Sequence, residues 1–231
     1  DDTLLGSNGA DVLLGGDNND FIDGQQGNDV IFLGAGDDVC QWDPGDGNDT
    51  LEGQAGSDRL KFNGSAIGEI FDASANGARV RFTRNIGNIL MDLDDIEALD
   101  LNALGGTDNL TVNNLSGTDL TSVNVDLASP LGTTTGDASA DVVIVNGTNG
   151  GDVIDVGGAA TSVSVIGLPA QVNLTNSEGA NDSLVINALD GVDVVTATTL
   201  PAGIIKLTLD GGPGNDSLLG SQGADVLMGG D

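Results

Sequence analysis

Aspartate recurs at the start of the chain at Asp2, Asp11, Asp20, Asp29 and Asp38, nine residues apart, then at Asp49 after eleven and Asp58 after nine more. Two residues before these stand Gly9, Asn18, Gly27, Gly36, Gly47 and Gly56, and asparagine is the residue next most tolerant of positive φ. Two residues after each comes an apolar or thiol side chain: Leu4, Leu13, Ile22, Ile31, Cys40, Leu51 and Leu60. Short carboxylates beside turns suit a hard cation, because Ca²⁺ takes oxygen ligands from aspartate and from backbone carbonyls.

The elements that must position these groups follow from the interval. Each unit reads as a glycine-rich turn, a carboxylate and a very short strand with one inward residue, so two units make one coil. Carboxylates one coil apart would stack at about 4.8 Å, the spacing of neighbouring strands. Unneutralised, they repel; Ca²⁺ between them, with turn carbonyls as further ligands, reverses the sign. The eleven-residue step inserts two residues, which preserves inward and outward parity. Asp29 with Asp49 and Asp38 with Asp58 therefore stay aligned at a separation of twenty. The predicted cation positions lie between Asp2 and Asp20, Asp11 and Asp29, Asp20 and Asp38, Asp29 and Asp49, and Asp38 and Asp58, about five ions in the first array.

These units resemble the RTX nonapeptide repeat, GGxGxDxUx with U a large apolar residue. "GGPGNDSLL" at 211–219 fits every defined position, while "GQQGNDVIF" at 24–32 and "GSNGADVLL" at 6–14 fit with one glycine replaced. The resemblance covers residues 1–61 and 211–231 and adds Asp216, Asp225, Gly214 and Gly223 to the candidate sites. It implies an all-β fold, a right-handed parallel β-roll with Ca²⁺ in its turns, and a bacterial protein exported by type I secretion to the cell exterior or surface. The end of the chain, at "MGGD", shows no C-terminal export signal.

Composition agrees with a metal-loaded surface. The formal charge is -30, from 36 acids against six bases, and only Glu52, Glu69, Glu97 and Glu178 are not aspartate. Frequent Val, Ile and Leu alternating with polar residues argue against disorder. With so few bases nucleic acid is not an expected partner, and no apolar run is long enough to span a membrane. Histidine and tyrosine are absent, and the single Cys40 excludes an internal disulfide.

The middle changes character, giving four expected sections: 1–61, 62–105, 106–210 and 211–231. "NGARVRFTRN" reads as a strand with Val80 and Phe82 on one face and Arg79 and Arg81 on the other, and "NILMDLDDIEALDLNAL" as extended structure. Five of the six bases (Arg59, Lys61, Arg79, Arg81, Arg84) fall between 59 and 84, as local neutralisation or as a docking patch for another copy. Beyond Gly105 the pattern degenerates. Asp108, Asp141, Asp152, Asp182 and Asp193 each precede an apolar residue by two, but fewer glycines accompany them. They read as turn or strand-start residues with no metal role, in a widened parallel solenoid of twenty- to thirty-residue coils held by apolar burial, at roughly 25 cal/mol per Å².

"DTLLGSNGADVLLGGD" at 2–17 and "DSLLGSQGADVLMGGD" at 216–231 agree at thirteen of sixteen positions. Three functions are therefore in view. The first is a calcium-folded structural module of a secreted or cell-surface protein, not an enzyme. The second is a filament, surface-layer or adhesin building block whose copies stack end to end. The third, remote for lack of acid–base side chains, is a polysaccharide-acting β-helix enzyme.

Overall fold

The computed structural model describes residues 1–231. Its only helical turn is a 3₁₀ segment at Ile86–Asn88, and 22 strands make up the rest of the regular structure. Alternation decides this: in strand after strand one residue is buried and the next faces out, as in the iBiB order of Val39–Trp42, so period two fixes two faces.

The strands form two eleven-stranded sheets. One contains, in spatial order, β1 (Thr3–Leu5), β3 (Phe21–Asp23), β5 (Val39–Trp42), β7 (Arg59–Asn63), β11 (Ala98–Asn102), β13 (Ser122–Asp126), β17 (Gln171–Thr175), β16 (Ser162–Ile166), β15 (Val153–Ala159), β19 (Val194–Thr196) and β21 (Ser217–Leu219). The other contains β2 (Val12–Asp17), β4 (Val30–Gly36), β6 (Thr50–Gly56), β10 (Ile89–Asp94), β9 (Arg79–Arg84), β8 (Ile70–Asn76), β12 (Asn109–Val112), β14 (Val142–Asn146), β18 (Ser183–Asn187), β20 (Lys206–Asp210) and β22 (Asp225–Met228). Through the first array the chain alternates between the sheets, and like strands pair in parallel at eighteen or twenty residues, as Phe21 with Val39 and Val39 with Arg59. This is an all-β roll, and both repeat-bearing ends lie in the same two sheets.

The parallel winding is interrupted twice. β8, β9 and β10 form an antiparallel meander in one sheet, and β15, β16 and β17 form another in the opposite sheet. Each meander adds two strands to its own sheet, so the sheets finish level. The meanders correct the expectation of a wholly parallel middle. The expected coil length of twenty to thirty residues holds in only part of it: Ala98 pairs with Ser122, Ser183 with Lys206 and Val194 with Ser217, 24, 23 and 23 residues on. The chain returns to the same position after 33 residues from Asp108 to Asp141 and after 41 from Asp141 to Asp182. The second meander lies inside the 41-residue return, while the 33-residue return carries a long connection between β13 and β14 instead.

A single cluster of 46 buried residues runs between the sheets from Leu13 to Leu209. Its bulkiest part sits at the first meander. Trp42 and Phe62 stack with ring centroids 4.0 Å apart, and Phe82 meets Phe62 edge-on at 5.0 Å. Val80 and Phe82 point inward as the alternation predicts, and so does Arg84, which is buried. "NILMDLDDIEALDLNAL" is extended, as β10 and β11.

Candidate metal centre

The repeated aspartates stand immediately before the strands, where the chain turns from one sheet to the other. They stack in files along the two edges of the roll. In each file the backbone N–H of one aspartate donates to Oδ1 of the aspartate in the next coil. Asp2 donates to Asp20 at 2.6 Å, Asp11 to Asp29 at 2.8 Å, Asp20 to Asp38 at 2.6 Å, Asp29 to Asp49 at 2.9 Å and Asp38 to Asp58 at 3.0 Å. All five predicted pairings are thus brought together. The residue before each aspartate makes an outer file: Asn48 N–H donates to Asn28 Oδ1 at 3.0 Å, and Asp37 N–H to Asn19 Oδ1 at 2.9 Å.

The glycines allow this close stacking. Asn18 takes φ 75°, a conformation asparagine tolerates. A Cβ on Gly27 would collide with the carbonyl of Gly9, and one on Gly47 with that of Gly27. Five residues before the aspartate a second cradle opens: a Cβ on Gly15 would lie 2.8 Å from Asp20 Oδ2, and one on Gly53 2.8 Å from Asp58 Oδ2. Gly15 and Gly53 are missing from the sequence prediction, although the first glycine of the motif was a sufficient signal.

The second carboxylate oxygen distinguishes two kinds of turn. Oδ2 of Asp20, Asp29, Asp38, Asp58, Asp108, Asp193 and Asp216 is buried without a hydrogen-bond partner. The residues four positions before these seven are Gly16, Gln25, Gly34, Gln54, Leu104, Leu189 and Gly212, and every one has positive φ. The other kind closes on itself. In it the N–H of the residue four before donates to the second oxygen: Ser7 to Asp11 at 2.8 Å, Ser65 to Glu69 at 2.7 Å, Thr148 to Asp152 at 2.7 Å, Glu178 to Asp182 at 2.6 Å and Ser221 to Asp225 at 2.7 Å. In the open turns the left-handed residue leaves the second oxygen without a donor, close against the first glycine of its own turn where the turn has one, as Gly15 with Asp20 and Gly53 with Asp58.

Burying a carboxylate penalises its charged form. Burial first, then neighbouring carboxylates, pushes Asp49 up to about 7 and Asp58 to about 6. The same causes take Asp108 to about 8 and Asp141 to about 7. Stacked carboxylates with a free oxygen each, beside backbone carbonyls of adjoining turns, form the donor set of a hard divalent cation, and calcium fits it.

The files continue beyond the residues the sequence singled out. Asp58 N–H donates to Glu97 at 2.6 Å, extending the first file. On the opposite edge Glu69, Asp108, Asp141 and Asp182 form a file of their own, joined by N–H bonds of 2.8, 2.9 and 3.2 Å. Asp152, Asp193 and Asp216 form another, at 2.7 and 2.9 Å. The middle aspartates stand at strand starts, as expected, and are in addition stacked and mostly buried. Asp216 stacks on Asp193, while Asp225 and Gly223 belong to a closed turn in which Asp225 aligns with Leu207 rather than with another carboxylate. Gly214 packs against the carbonyl of Gly191. Sequence spacing missed these pairings because a meander sets Asp152 and Asp193 41 apart, and a wider coil without a meander sets Asp193 and Asp216 23 apart.

Protein cations neutralise the first meander. Arg84 pairs with Glu69 and lies 5.3 Å from the centroid of the Trp42 ring. Arg79 reaches Asp92 at 2.7 Å and both Glu52 and Asp94 at 3.0 Å, and Arg59 pairs with Asp100. Three of the five clustered bases thus serve local neutralisation. Asp94, Asp95 and Asp119 also gather carboxylates within 4.8 Å, on a partly exposed surface.

A family model for the RTX calcium-binding nonapeptide repeat matches residues 5–40, 44–62 and 208–231, in four copies. The chain carries RTX calcium-binding repeats. The RTX segments coincide with the first array and with the stretch containing Asp216 and Asp225. Among solved structures, the extracellular lipase LipA from Serratia marcescens aligns at 14% identity, over 76% of this chain and 38% of the lipase, with a TM-score of 0.21. That score is too low to carry an argument about fold, and the chain spans well under half of the lipase. No curated protein matches the chain.

Proposed function

We propose that the chain is a calcium-folded structural module of a secreted or cell-surface bacterial RTX-type protein, without catalytic activity of its own. The observation that carries this is the row of buried, unpartnered Oδ2 atoms at Asp20, Asp29, Asp38 and Asp58, each stacked on the next carboxylate of its file. Asp2, Asp11 and Asp49, with the glycines and Asn18 of the turns, complete the array of expected ligands. Calcium bound there supplies positive charge and oxygen coordination between coils; the chain supplies the oxygens, the spacing and the exclusion of water. Extracellular calcium modules bind in the ~0.1–1 mM range, so the chain would stay unloaded in a calcium-poor cytoplasm and fold after export. Export through a type I system follows from the RTX resemblance, and no helix is long and apolar enough to cross a membrane. The test is circular dichroism of the intact chain during calcium titration after chelation. A coil-to-strand transition at submillimolar to millimolar calcium supports the reading, and an unchanged spectrum throughout refutes it.

A second reading, end-to-end stacking of copies, is favoured by where the matching stretches lie. β1 and β21 are opposite edges of one sheet, and β2 and β22 opposite edges of the other. A further copy would therefore continue both sheets without changing sides, and open edges invite such pairing. Calcium-dependent growth in light scattering supports stacking, and monodisperse single chains at all calcium concentrations refute it.

A further inference from the structure

Two open turns lie outside the RTX segments. Residues 103–108 read "ALGGTD" and residues 188–193 read "ALDGVD", so both follow Ala-Leu-x-Gly-x-Asp, with Ala-Leu where the repeat has Gly-Gly. Leu104 and Leu189 adopt φ 69° and 73°. A leucine resists that conformation, which a structure keeps only where its surroundings over-determine it. The result matches the first array: Asp108 is 4% exposed and Asp193 0%, and Oδ2 of each has no partner. Asp141 is the stacked neighbour of Asp108 and Asp216 that of Asp193. Around Asp108 a third carboxylate replaces what the missing glycines offered. Asp137 reaches the same turn, its Oδ2 accepting the N–H of Gly106 at 2.7 Å. The guanidinium of Arg84 is committed to Glu69, one coil away.

We propose that Asp108 and Asp193 are each the centre of an additional divalent-cation site, one bridging Asp108 to Asp141 with Asp137 and the other bridging Asp193 to Asp216. What marks an ion-binding turn in this chain is a left-handed residue four before the aspartate, rather than the glycine pattern itself. The rule separates turns that the motif does not: "GTNGGD" at 147–152 looks closer to the repeat, yet Thr148 closes it on Asp152.

The inference rests on calcium binding by the roll, and the first array serves as its internal control. Ions bound per intact chain are counted by equilibrium dialysis against calcium for the wild type, Asp108→Asn, Asp193→Asn and Leu104→Ser. The serine should convert the open turn to the closed form of Ser7 and Ser65, which satisfies its own carboxylate and so preserves the fold. Each variant is expected to lose one ion. Unchanged counts in all three overturn the proposal. Should a variant fail to fold, long-wavelength anomalous maps of wild-type crystals grown with calcium decide. Peaks beside Asp108 and Asp193 as well as Asp20, Asp29 and Asp38 sustain it. Peaks at the first array alone overturn it, and no peaks anywhere overturn the function proposed for the roll as well.

Discussion

Residues 1–61, the thin section, begin one inward residue deep at Leu4, Leu13 and Ile22 and deepen to pairs only from β4 on, such as Ile31 with Leu33 and Cys40 with Trp42, whereas in the wide section β14, β18 and β20 each bury a pair: Val143 and Val145, Leu184 and Ile186, Leu207 and Leu209. The thin section stacks carboxylates at every turn. The wide section adds amides that pair with one another. Asn113 Nδ2 donates to Asp72 at 2.9 Å, Asn146 to Asn113 at 2.9 Å and Asn187 to Asn146 at 2.8 Å, one continuous ladder along the sheet. On the other sheet Asn124 donates to Asp100 at 2.7 Å and Asn173 to Asn124 at 2.9 Å. An amide both donates and accepts, so identical rungs attract without any ion. Identical carboxylates only accept, and they cohere through the backbone N–H on one oxygen and a cation on the other. On the proposed function, coil cohesion in residues 1–61 depends chiefly on calcium, while from β12 onward burial and amide ladders carry more of it.

The largest expected effect falls on the joint between the two sections. Phe62 contacts Trp42, Phe71 and Phe82 and is fully buried. Phe62→Ala should cost about 3–5 kcal/mol. Denaturant unfolding in saturating calcium should show the thin section detaching from the wide one as a separate transition. A single unchanged transition would mean the two sections do not share this joint.

Asn146→Ala should cost about 1–3 kcal/mol by leaving Asn113 Oδ1 and Asn187 Nδ2 unpaired. The loss should be equal with and without calcium. Asp29→Asn should weaken the thin section only when calcium is present. If the two variants showed the same calcium dependence, the contrast between ladders would be wrong.

pH acts in opposite directions on the two states of the protein. Burial and neighbouring carboxylates raise Asp49 and Asp141 to about 7, Asp58 to about 6 and Asp108 to about 8, from an ordinary 3.8. The metal-free fold therefore keeps protons that the unfolded chain has released. Its stability is greatest at low pH and is lost as pH rises through the interval from about 4 to about 8, flattening beyond. Calcium needs the deprotonated carboxylates, so the loaded chain should gain stability over the same interval. Denaturant midpoints at pH 5 and pH 8, with and without calcium, check both signs.

Arg59→Gln should matter least. Arg59 and Asp100 are partly exposed on the sheet surface, and such pairs are worth about 1 kcal/mol or less. Thermal melts in low and high salt should differ little from the wild type.

Much of the thin section was legible in the sequence, because a nine-residue interval with an apolar residue two places on fixes turn, strand and stacking together. The parity-preserving step between Asp38 and Asp49 is borne out by the pairing of Asp29 with Asp49. The middle was less legible, since antiparallel meanders break the interval: Asp152 and Asp193 stack although 41 residues separate them. The inward turn of Arg84 was hidden for a different reason. Its alternation with Val80 and Phe82 pointed inside, but a charged residue is placed there only by knowing that Glu69 waits for it. The open and closed turns were within reach, since Ser7, Ser65, Thr148 and Ser221 stand four before their acids. Their meaning depends on φ values that no composition reveals.

Hydrogen exchange on the intact chain, followed segment by segment as calcium is withdrawn, tests most directly whether cations hold the thin section together. Residues 1–61 should lose protection as a unit while β12, β14 and β18 keep theirs, and added calcium should restore it. Protection that persists across 1–61 at vanishing calcium, with Asp20, Asp29 and Asp38 still stacked, would contradict the account.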